Sequence, residues 1–430
     1  MISNRKFLTI FEIFNYFFLA IIFVGSVAIN IIKFQYEDYF GFYDRPDLLF
    51  KIWLMSSLAL MLTPFGAIVF NNLVRFYPKK GFKNFNALLT IQQNKIGYSY
   101  KTIIFFLFLF FLTLLVFFQY GNKAGDLAIY HIFESVSPVE FSLLRSDATN
   151  NFEGKFHRYQ LFLTTLPKLL LVVAYLLMIN SRKWRILFIL IFVTSVFYSL
   201  LNVEKGPVTT IFLLIFLTHY FMFPEIRIGK IFFAFFGILT GLVFMYIVVM
   251  GMQDHGILDV LGAIFHRIFI GQVHPLYWWQ LYLEEYGTLG FSGMPNPGGI
   301  FPFTPVSMTV IIHQFAFPEI ASKGIVGSMP TAYFAYWMLS FGYFVSFVSM
   351  FILGFILQFV DFLFSKSLRS KPKIFTIGFY ILMMDYFLRY VSDGFQGILF
   401  DFNWILPLFI CFIYSLLTKE NNLNKSTINE

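Results

Sequence analysis

The chain has 430 residues, of which 58% are hydrophobic and only 13% are charged. Soluble domains carry about 25% charged residues, so this composition excludes an ordinary soluble protein. Apolar runs of about 20 residues recur along the chain, and each is long enough to cross a bilayer core as a helix. The net charge of +8 is informative only once the charges are placed on a topology. The sequence therefore predicts a polytopic membrane protein.

In chain order, the apolar runs predict ten membrane-spanning helices. They cover residues 7–32, 49–74, 102–119, 161–179, 186–203, 207–224, 231–251, 338–363, 374–392 and 399–417. The first run is longer than a signal-peptide core, so we expect it to be retained as a helix. The predicted fold class is all-α, a single polytopic helix bundle over residues 1–430.

The distribution of basic residues predicts the orientation of the bundle. An inside N-terminus makes the basic connections "RFYPKKGFKNF", "SRKWR" and "SKSLRSKPK" cytoplasmic, as the positive-inside rule requires. The C-terminus and the tail 418–430 are then also cytoplasmic. The outer face carries the long loops 120–160 and 252–337 and a shorter acidic connection, 33–48.

The outer segment 252–337 is predicted to be ordered. Its stretches "FHRIFIG" and "HPLYWWQLYLEEYG" are rich in aromatic residues, which is atypical of a disordered linker. Within 257–270, five apolar residues recur at helical spacing: Leu258, Leu261, Ile264, Phe265 and Ile268. This pattern predicts an interfacial or re-entrant amphipathic helix.

Motifs of soluble enzymes are absent from the sequence. It has no Walker A loop, no GxGxxG, no HExxH and no CxxC. No two histidines stand at the i, i+4 spacing that binds zinc on a helix. The sequence therefore predicts neither a metal nor another cofactor.

Five cations fall at the predicted outer membrane–water boundary: Arg145, Arg158, Lys205, Arg267 and Arg389. A cation near the centre of a membrane helix costs about 2.5–3.5 kcal/mol. The planar fork of arginine binds phosphate with two parallel hydrogen bonds, and lysine adds a point charge. The functional interpretation is a pocket for an anionic lipid headgroup. The alternative is a set of snorkelling anchors around the rim.

Two further charges lie inside predicted spans. Lys168 is near the middle of the fourth span, and Asp385 is inside the ninth. One hypothesis pairs them within the membrane, and the alternative has each reaching a water-filled cavity or the interface separately.

Candidate proton acceptors are predicted on the outer side: Glu204, His274, Glu284 and Glu285. A hydroxyl nucleophile would need one of them within hydrogen-bond reach, and His274 or Glu204 is the predicted catalytic base. His274 opens an aromatic run in which Tyr277, Trp278, Trp279 and Tyr282 could stack on sugar rings. The alternative is an aromatic belt at the membrane interface.

The stretch "LNVEKGPVTT", residues 201–210, places Glu204 and Lys205 in a very short outer connection. Pro207 is predicted in the first turn of the sixth span. The charges of Glu204 and Lys205 then either belong to the outer site or neutralise each other as a pair in a tight turn between two helices.

Several stretches together resemble the bacterial O-antigen (Wzy-type) oligosaccharide repeat-unit polymerases. "LLRSDATNNFEGKFHRYQLFL" is similar to that family's first large outer loop and supplies Arg145 and Arg158. "NVEKGPVTTIFLLIFL" matches a turn that often holds arginine, where this chain has Lys205. "FHRIFIGQVHP" and "FLRYVSDG" place Arg267 and Arg389 where the family has arginines.

The resemblance implies a GT-C-like glycosyltransferase of the bacterial inner membrane, with its active site facing the periplasm and without metal or nucleotide sugar. It would transfer a glycan from undecaprenyl diphosphate to a hydroxyl of the next lipid-linked repeat unit. Arg267 and Arg389 would bind the diphosphate, and Arg145, Arg158 and Lys205 would assist. Lipid-linked oligosaccharides and membrane lipids are the expected partners, with a chain-length regulator as a further candidate and no nucleic acid.

Three other functions are compatible with the sequence. The segment "HPLYWWQLYLEEYGTLG" is similar in outline to the histidine-containing loop of O-antigen ligases, although Pro275 replaces a small polar residue. A flippase or other transporter of lipid-linked glycans should have internal repeats and polar sites at mid-membrane, and the sequence has no repeat. A non-catalytic membrane scaffold would not need outer cations backed by aromatic loops.

Overall fold

The computed structural model describes the chain as a helix bundle. It describes residues 9–32, 45–76, 98–123, 152, 156–201, 205–223, 236–237, 239–243, 246–247, 252–322, 324, 327–369 and 373–418. Within these ranges every regular element is helical, and seven helices are long and apolar enough to cross a membrane. The prediction of an all-α polytopic membrane protein is confirmed, while the count of ten spans and their orientation stay predictions.

The helices of the described ranges are numbered here in chain order. They are α1 (Ile10–Asn30), α2 (Pro46–Phe76), α3 (Tyr100–Gly121), α4 (Arg158–Asn180), α5 (Arg185–Leu200), α6 (Lys205–Met222), α7 (Ile257–Phe265), α8 (His274–Tyr286), α9 (Met308–Ala316), α10 (Tyr333–Phe341), α11 (Tyr343–Arg369), α12 (Ile374–Leu388) and α13 (Phe402–Leu417). A π-helical segment, His266–Ile270, extends α7, and α1 contains another, Leu19–Phe23. A 3-10 turn, Arg389–Val391, extends α12.

Most predicted spans coincide with these helices. The first five overlap α1 to α5, and the span 374–392 overlaps α12. The spans 207–224 and 399–417 correspond to α6 and α13, which are apolar but shorter. The predicted span 231–251 lies mainly outside the described residues.

The predicted span 338–363 corresponds to α11, but its predicted start is wrong, because the chain breaks at Gly342. This residue has φ +85, a left-handed conformation that favours glycine, so α10 ends before it and α11 begins after it. The Ser346 hydroxyl donates to the Phe334 carbonyl at 2.8 Å and ties the two helices together. Hydropathy continues unbroken across the junction, so the apolar run alone could not reveal it.

The core of the bundle is built around α4 and α12. In α12 83% of the span is buried and in α4 67%, compared with 28% in α3 and 17% in α5. The two peripheral helices therefore present most of their apolar side chains outwards, as lipid-facing helices do. Lys168 of α4 and Asp385 of α12 consequently lie inside the bundle.

The long helices α2 and α11 approach each other at two glycines. A Cβ atom at Gly66 would collide with the Phe351 carbonyl oxygen, and one at Gly354 would collide with the Thr63 carbonyl oxygen. Small residues at such crossings allow membrane helices to pack backbone against backbone. Nearby, the Thr63 hydroxyl lies 2.7 Å from the Tyr333 hydroxyl, which joins α2 to α10.

We expect Gly354→Leu to unfold or separate this helix pair. The new side chain would meet rigid backbone, so the cost should exceed ~3 kcal/mol, the upper end of ordinary overpacking. Thermal unfolding of the detergent-solubilised protein, followed by size-exclusion chromatography, measures the effect. Gly206→Ala is the matched control, because a Cβ there meets nothing within 4 Å among the described residues. Equal thermal stability of the two variants would contradict the packing argument.

The start of α1 is fixed by a carboxylate from far along the chain. Asp361 of α11 accepts hydrogen bonds from the backbone N–H groups of Ile10 and Phe11, both at 3.0 Å. The Tyr380 hydroxyl of α12 donates to the same carboxylate at 2.9 Å. The first N–H groups of a helix have no partner within the helix, so Asp361 satisfies them and complements the helix dipole.

Several helix ends meet at one end of the bundle. The Trp184 indole N–H donates to the Tyr98 hydroxyl, so the "SRKWR" turn adjoins the start of α3. Lys101 donates to the Leu417 carbonyl, and Lys373 donates to the Thr418 hydroxyl. Two connections predicted to be cytoplasmic therefore border the same end. Which side of a membrane that end faces stays a prediction.

Candidate functional site

Arg389 is the predicted cation with the most elaborate surroundings. It begins the 3-10 turn after α12, and one guanidinium nitrogen donates to the carboxylate of Asp401, the residue that precedes α13. The guanidinium carbon lies 4.2 Å from the centre of the Tyr386 ring and 5.1 Å from that of Tyr390. Such cation–π contacts and the ion pair fix the orientation of the guanidinium.

Asp401 is held as firmly as the arginine that it binds. Its carboxylate accepts from the Tyr386 hydroxyl at 3.2 Å and from the backbone N–H of Asn403 at 2.9 Å, which caps α13. The Tyr390 hydroxyl donates to the Tyr386 hydroxyl at 2.6 Å. Arg389 is therefore held in a network of hydrogen bonds, an ion pair and ring contacts.

One donor of Arg389 remains unused in this network. Its Nε is buried and has no hydrogen-bond partner within the described part of the chain. Buried donors are nearly always satisfied, and an orphaned one calls for a water, an ion or a ligand. Arg389 can thus hold its internal carboxylate and still donate to an incoming acceptor.

Asp393 is a functional candidate that the sequence reasoning missed. It follows Arg389 by four residues, and burial raises the pKa of its carboxyl, although the neighbouring Arg389 charge acts in the opposite direction. The next residue, Gly394, lies so close to the Tyr336 ring that any Cβ atom would overlap it. A carboxyl with a raised pKa beside a fixed cation is a candidate acid or base. The acidic residue in "FLRYVSDG" is the sequence signal that could have identified it.

The hypothesis that Lys168 pairs with Asp385 is confirmed, and the position of the pair within a membrane stays a prediction. The Lys168 ammonium lies 3.3 Å from the Asp385 carboxylate, and their side chains are 23% and 15% exposed. One turn earlier in α4, the Thr165 hydroxyl donates to the Asn403 side chain at 2.6 Å. We call Lys168, Asp385, Thr165, Asn403, Asp401 and Arg389 the polar seam. It brings charged and polar groups of α4, α12 and the start of α13 together inside the bundle.

A double-mutant cycle should detect the pair. Lys168→Gln and Asp385→Asn each leave one buried charge unpaired, whereas the double variant leaves none. We expect the double variant to be milder than the sum of the single variants, with a coupling within about 0.5–3 kcal/mol. Thermal unfolding in detergent provides the measurement. Lys168→Gln combined with Asp254→Asn, an exposed acid, is the control that should be additive. Additivity in the Lys168–Asp385 cycle would refute the interaction.

Arg267 and His274 form a second group at the bend between α7 and α8. The two helical segments meet at 45°, as a broken span or a re-entrant loop would. Arg267 is exposed, and its guanidinium makes no hydrogen bond or ion pair with other described residues. His274 begins α8, and its Nε2 accepts from the Trp278 indole N–H at 3.3 Å. That contact occupies one of the two ring nitrogens through which His274 could accept a proton.

Helix α1 lies against both groups. Its first half contacts the turn Arg389–Val391, and its π-helical segment contacts His266–Ile270. At Gly25 the helix approaches so closely that a Cβ atom would collide with the Phe269 carbonyl oxygen. The arginines predicted to bind diphosphate thus flank one helix, although no hydrogen bond or ion pair among the described residues joins the two groups.

The predicted sugar platform is divided between two faces of α8. Tyr277 and Trp279 are buried in the core, where the Trp279 indole N–H donates to the Met329 carbonyl at 3.0 Å. Trp278 is only half-buried. Consecutive residues on a helix point about 100° apart, so three adjacent aromatic side chains cannot share one surface. Only Trp278 of the three lies on a face that a ligand can reach in this structure.

The structure gives less information about the remaining predicted site residues. Arg158 begins α4 and is exposed. The backbone of Lys205 begins α6, but its side chain, like Arg145 and Glu204, lies outside what the structure describes. Glu284, a candidate proton acceptor, is engaged by Arg45 at 2.8 Å and by Lys51 at 2.6 Å.

The described residues contain no cluster of three or more His, Cys, Asp or Glu side chains arranged to hold a metal ion. The polar groups of the candidate site are instead guanidinium, carboxylate and phenol groups. Such a set can bind an anion and move a proton.

Comparisons of the chain with protein-family models, with curated proteins and with solved structures found no match.

Proposed function

We propose that this protein is a metal-independent glycosyltransferase that polymerises undecaprenyl-diphosphate-linked oligosaccharides at the outer face of a bacterial inner membrane. The observation that carries the proposal is Arg389, fixed by Asp401 and two tyrosines, with its buried Nε unpaired and Asp393 close by. Arg267, exposed at the α7–α8 bend in a segment that also contacts α1, would supply a second cation for the same diphosphate.

The proposed reaction uses these groups as follows. A hydroxyl oxygen of the acceptor repeat unit attacks the anomeric carbon of the donor glycan, and the bond from that carbon to the diphosphate oxygen breaks. The hydroxyl proton passes to a base, for which Asp393 joins His274 and Glu204 as a candidate. The diphosphate leaves with an additional negative charge, which preplaced arginines stabilise in a site shielded from water.

The lipid carriers of both substrates stay in the bilayer throughout. The site must therefore open sideways between helices, and a polytopic bundle with an arginine-lined outer end suits that requirement. A GT-C-like arrangement and a periplasmic active site belong to this proposal.

A transporter of lipid-linked glycans is the second candidate, and one observation favours it. The Lys168–Asp385 pair lies inside the bundle, and transporters carry polar sites near mid-membrane. Against it, the sequence has no internal repeat. An O-antigen ligase would use the same donor chemistry as the polymerase with a different acceptor.

Deletion of the gene in the source cell, followed by gel analysis of surface glycans, separates these functions. Loss of a polymerase leaves single repeat units attached at the surface. Loss of a ligase leaves no attached glycan, and loss of a flippase traps units inside the cell. An unchanged polymer ladder would refute all three proposals.

Asp393→Asn should reduce polymerisation by about 10²–10⁴-fold, the usual contribution of a positioned base. The carboxylate form accepts the proton, and it is lost as the pH falls through a raised pKa. Wild-type activity in membranes should therefore decline on the acid side at a pH above about 3.9, the ordinary aspartate value.

The matched control for this variant is Asp254→Asn, which alters an exposed acid and should keep both the rate and the acid limb of the pH profile. A wild-type rate for Asp393→Asn would exclude Asp393 as the base.

A further inference from the structure

Helix α8 carries an aromatic ring at every fourth residue over its whole length. These residues are His274, Trp278, Tyr282 and Tyr286, and we call them the aromatic ladder. Residues at i and i+4 lie one above the other on a helix, so the four rings follow a single stripe. The stripe is distinct from the face on which Trp279 packs into the core.

The rings of the ladder have fixed relative positions. Tyr282 and Tyr286 are stacked, with their centres 4.7 Å apart. Phe315 of α9 stands edge-on to Trp278, Tyr282 and Tyr286 at 5.9, 5.4 and 5.8 Å. One phenylalanine thus holds three rings in a row and limits their rotation.

The ladder is exposed at one end and connected to the bend at the other. Tyr286 is 64% exposed, whereas Tyr282 and Trp278 are half-buried. The hydroxyls of Tyr282 and Tyr286 make no hydrogen bond to any described residue. At its inner end Trp278 donates to His274, the residue that begins the helix after the bend bearing Arg267.

The ion pairs of Glu284 lie on the other side of α8 from the ladder. Glu284, between Tyr282 and Tyr286 in sequence, is bound by Arg45 and Lys51 of the α2 region. Arg45 also holds Asp47 at 2.9 Å. Residues two apart on a helix point about 200° apart, so this ion-pair cluster does not line the ladder.

We infer that the aromatic ladder is a binding track for an extended oligosaccharide, an inference that rests on the proposed function. The C–H faces of successive sugar rings would stack on Trp278, Tyr282 and Tyr286, and the sugar hydroxyls would meet the free tyrosine hydroxyls. The track leads towards the bend with Arg267 and His274, so it would keep a growing chain attached between additions.

A saccharide explains the ladder better than a lipid interface does. Interfacial tryptophans and tyrosines direct their polar tips to the headgroups. Here the Trp278 N–H is turned to His274, and the rings are stacked in a row by Phe315.

The first arm of the test measures chain length in cells. The Tyr282→Ala/Tyr286→Ala variant should still produce polymer, seen as a series of bands on a glycan gel. The most abundant chain length should be shorter than in the wild type, because the product would dissociate sooner. Tyr286→Trp should preserve the length. Tyr100→Ala is the control, because it removes a tyrosine of 72% exposure at the start of α3. A wild-type length distribution in the double variant would overturn the inference.

The second arm measures binding without catalysis. The probe is the surface polysaccharide released by mild acid from the source cells, titrated into the purified full-length protein in detergent. The Tyr282→Ala/Tyr286→Ala variant should bind at least tenfold more weakly, whereas Tyr100→Ala should bind as the wild type does. Equal polysaccharide binding by the wild type and the double tyrosine variant would overturn the inferred binding track, even if deletion of the gene abolishes the polymer. If deletion of the gene leaves the polymer unchanged but polysaccharide binding still depends on the two tyrosines, the proposed polymerase function is refuted and the saccharide-binding site is retained.

Discussion

Replacing Arg389 with alanine is expected to abolish the polymer ladder while the protein still inserts into the membrane. The substitution removes the fixed donors that would stabilise the leaving diphosphate, and the loss of one such donor costs about 10²–10³-fold in rate. Arg389→Lys should also fail, because an ammonium cannot hold Asp401 and a phosphate in the planar geometry of the guanidinium. Glycan gels report polymerisation, and a fluorescent C-terminal fusion reports the amount of membrane protein.

The controls for this experiment separate catalysis from folding. Arg182→Ala alters an exposed arginine at the opposite end of the bundle and should leave the ladder unchanged. Arg389→Ala alone leaves Asp401 without its cation, so Arg389→Ala/Asp401→Asn relieves that structural cost. If the double variant restores the ladder, Arg389 is only a structural partner of Asp401. Continued loss of the ladder at normal protein levels supports its role at the diphosphate.

Asp361→Ala should destabilise the bundle more than any other single carboxylate substitution discussed here. It leaves two backbone N–H groups and the Tyr380 hydroxyl without their acceptor. Each buried group left unsatisfied costs about 1–3 kcal/mol, so a loss above ~3 kcal/mol is expected. Thermal unfolding in detergent provides the measurement.

Graded variants identify the cause of the loss at Asp361. Tyr380→Phe removes one of the three hydrogen bonds and should cost about 1 kcal/mol. Asp254→Ala is the control for loss of an exposed acid and should be near neutral. A melting curve for Asp361→Ala that matches the control would mean that α1 is not anchored through this carboxylate.

The sequence predicts the helices well because the bilayer imposes a minimum length on an apolar run. Runs such as 102–119 and 161–179 need no tertiary information to be recognised as spans. The break at Gly342 is different, because its left-handed backbone does not interrupt the hydropathy. The π-helical segments also leave no hydropathic signal, since they change hydrogen bonding and not composition.

The candidate site could be predicted only in part. Cations such as Arg389 and Arg267 are conspicuous at the ends of apolar runs, but their partners depend on how the chain returns. Asp401 reaches Arg389 through a reversal between α12 and α13, and Lys168 reaches Asp385 across two helices far apart in sequence. The sequence alone could have predicted that the aromatic side chains of α8 point to different faces, because helical spacing separates Trp278 from Trp279.

The anchoring of α1 by Asp361 has a consequence for biosynthesis. The carboxylate is 351 residues from the amide that it binds, so it leaves the ribosome long after α1 has been inserted. At about 5–20 residues per second, that delay is roughly 20–70 s. During this interval the amino-terminal end of α1 lacks its final acceptor. Nascent chains that stop before α11 should therefore be preferred targets of membrane quality-control proteases.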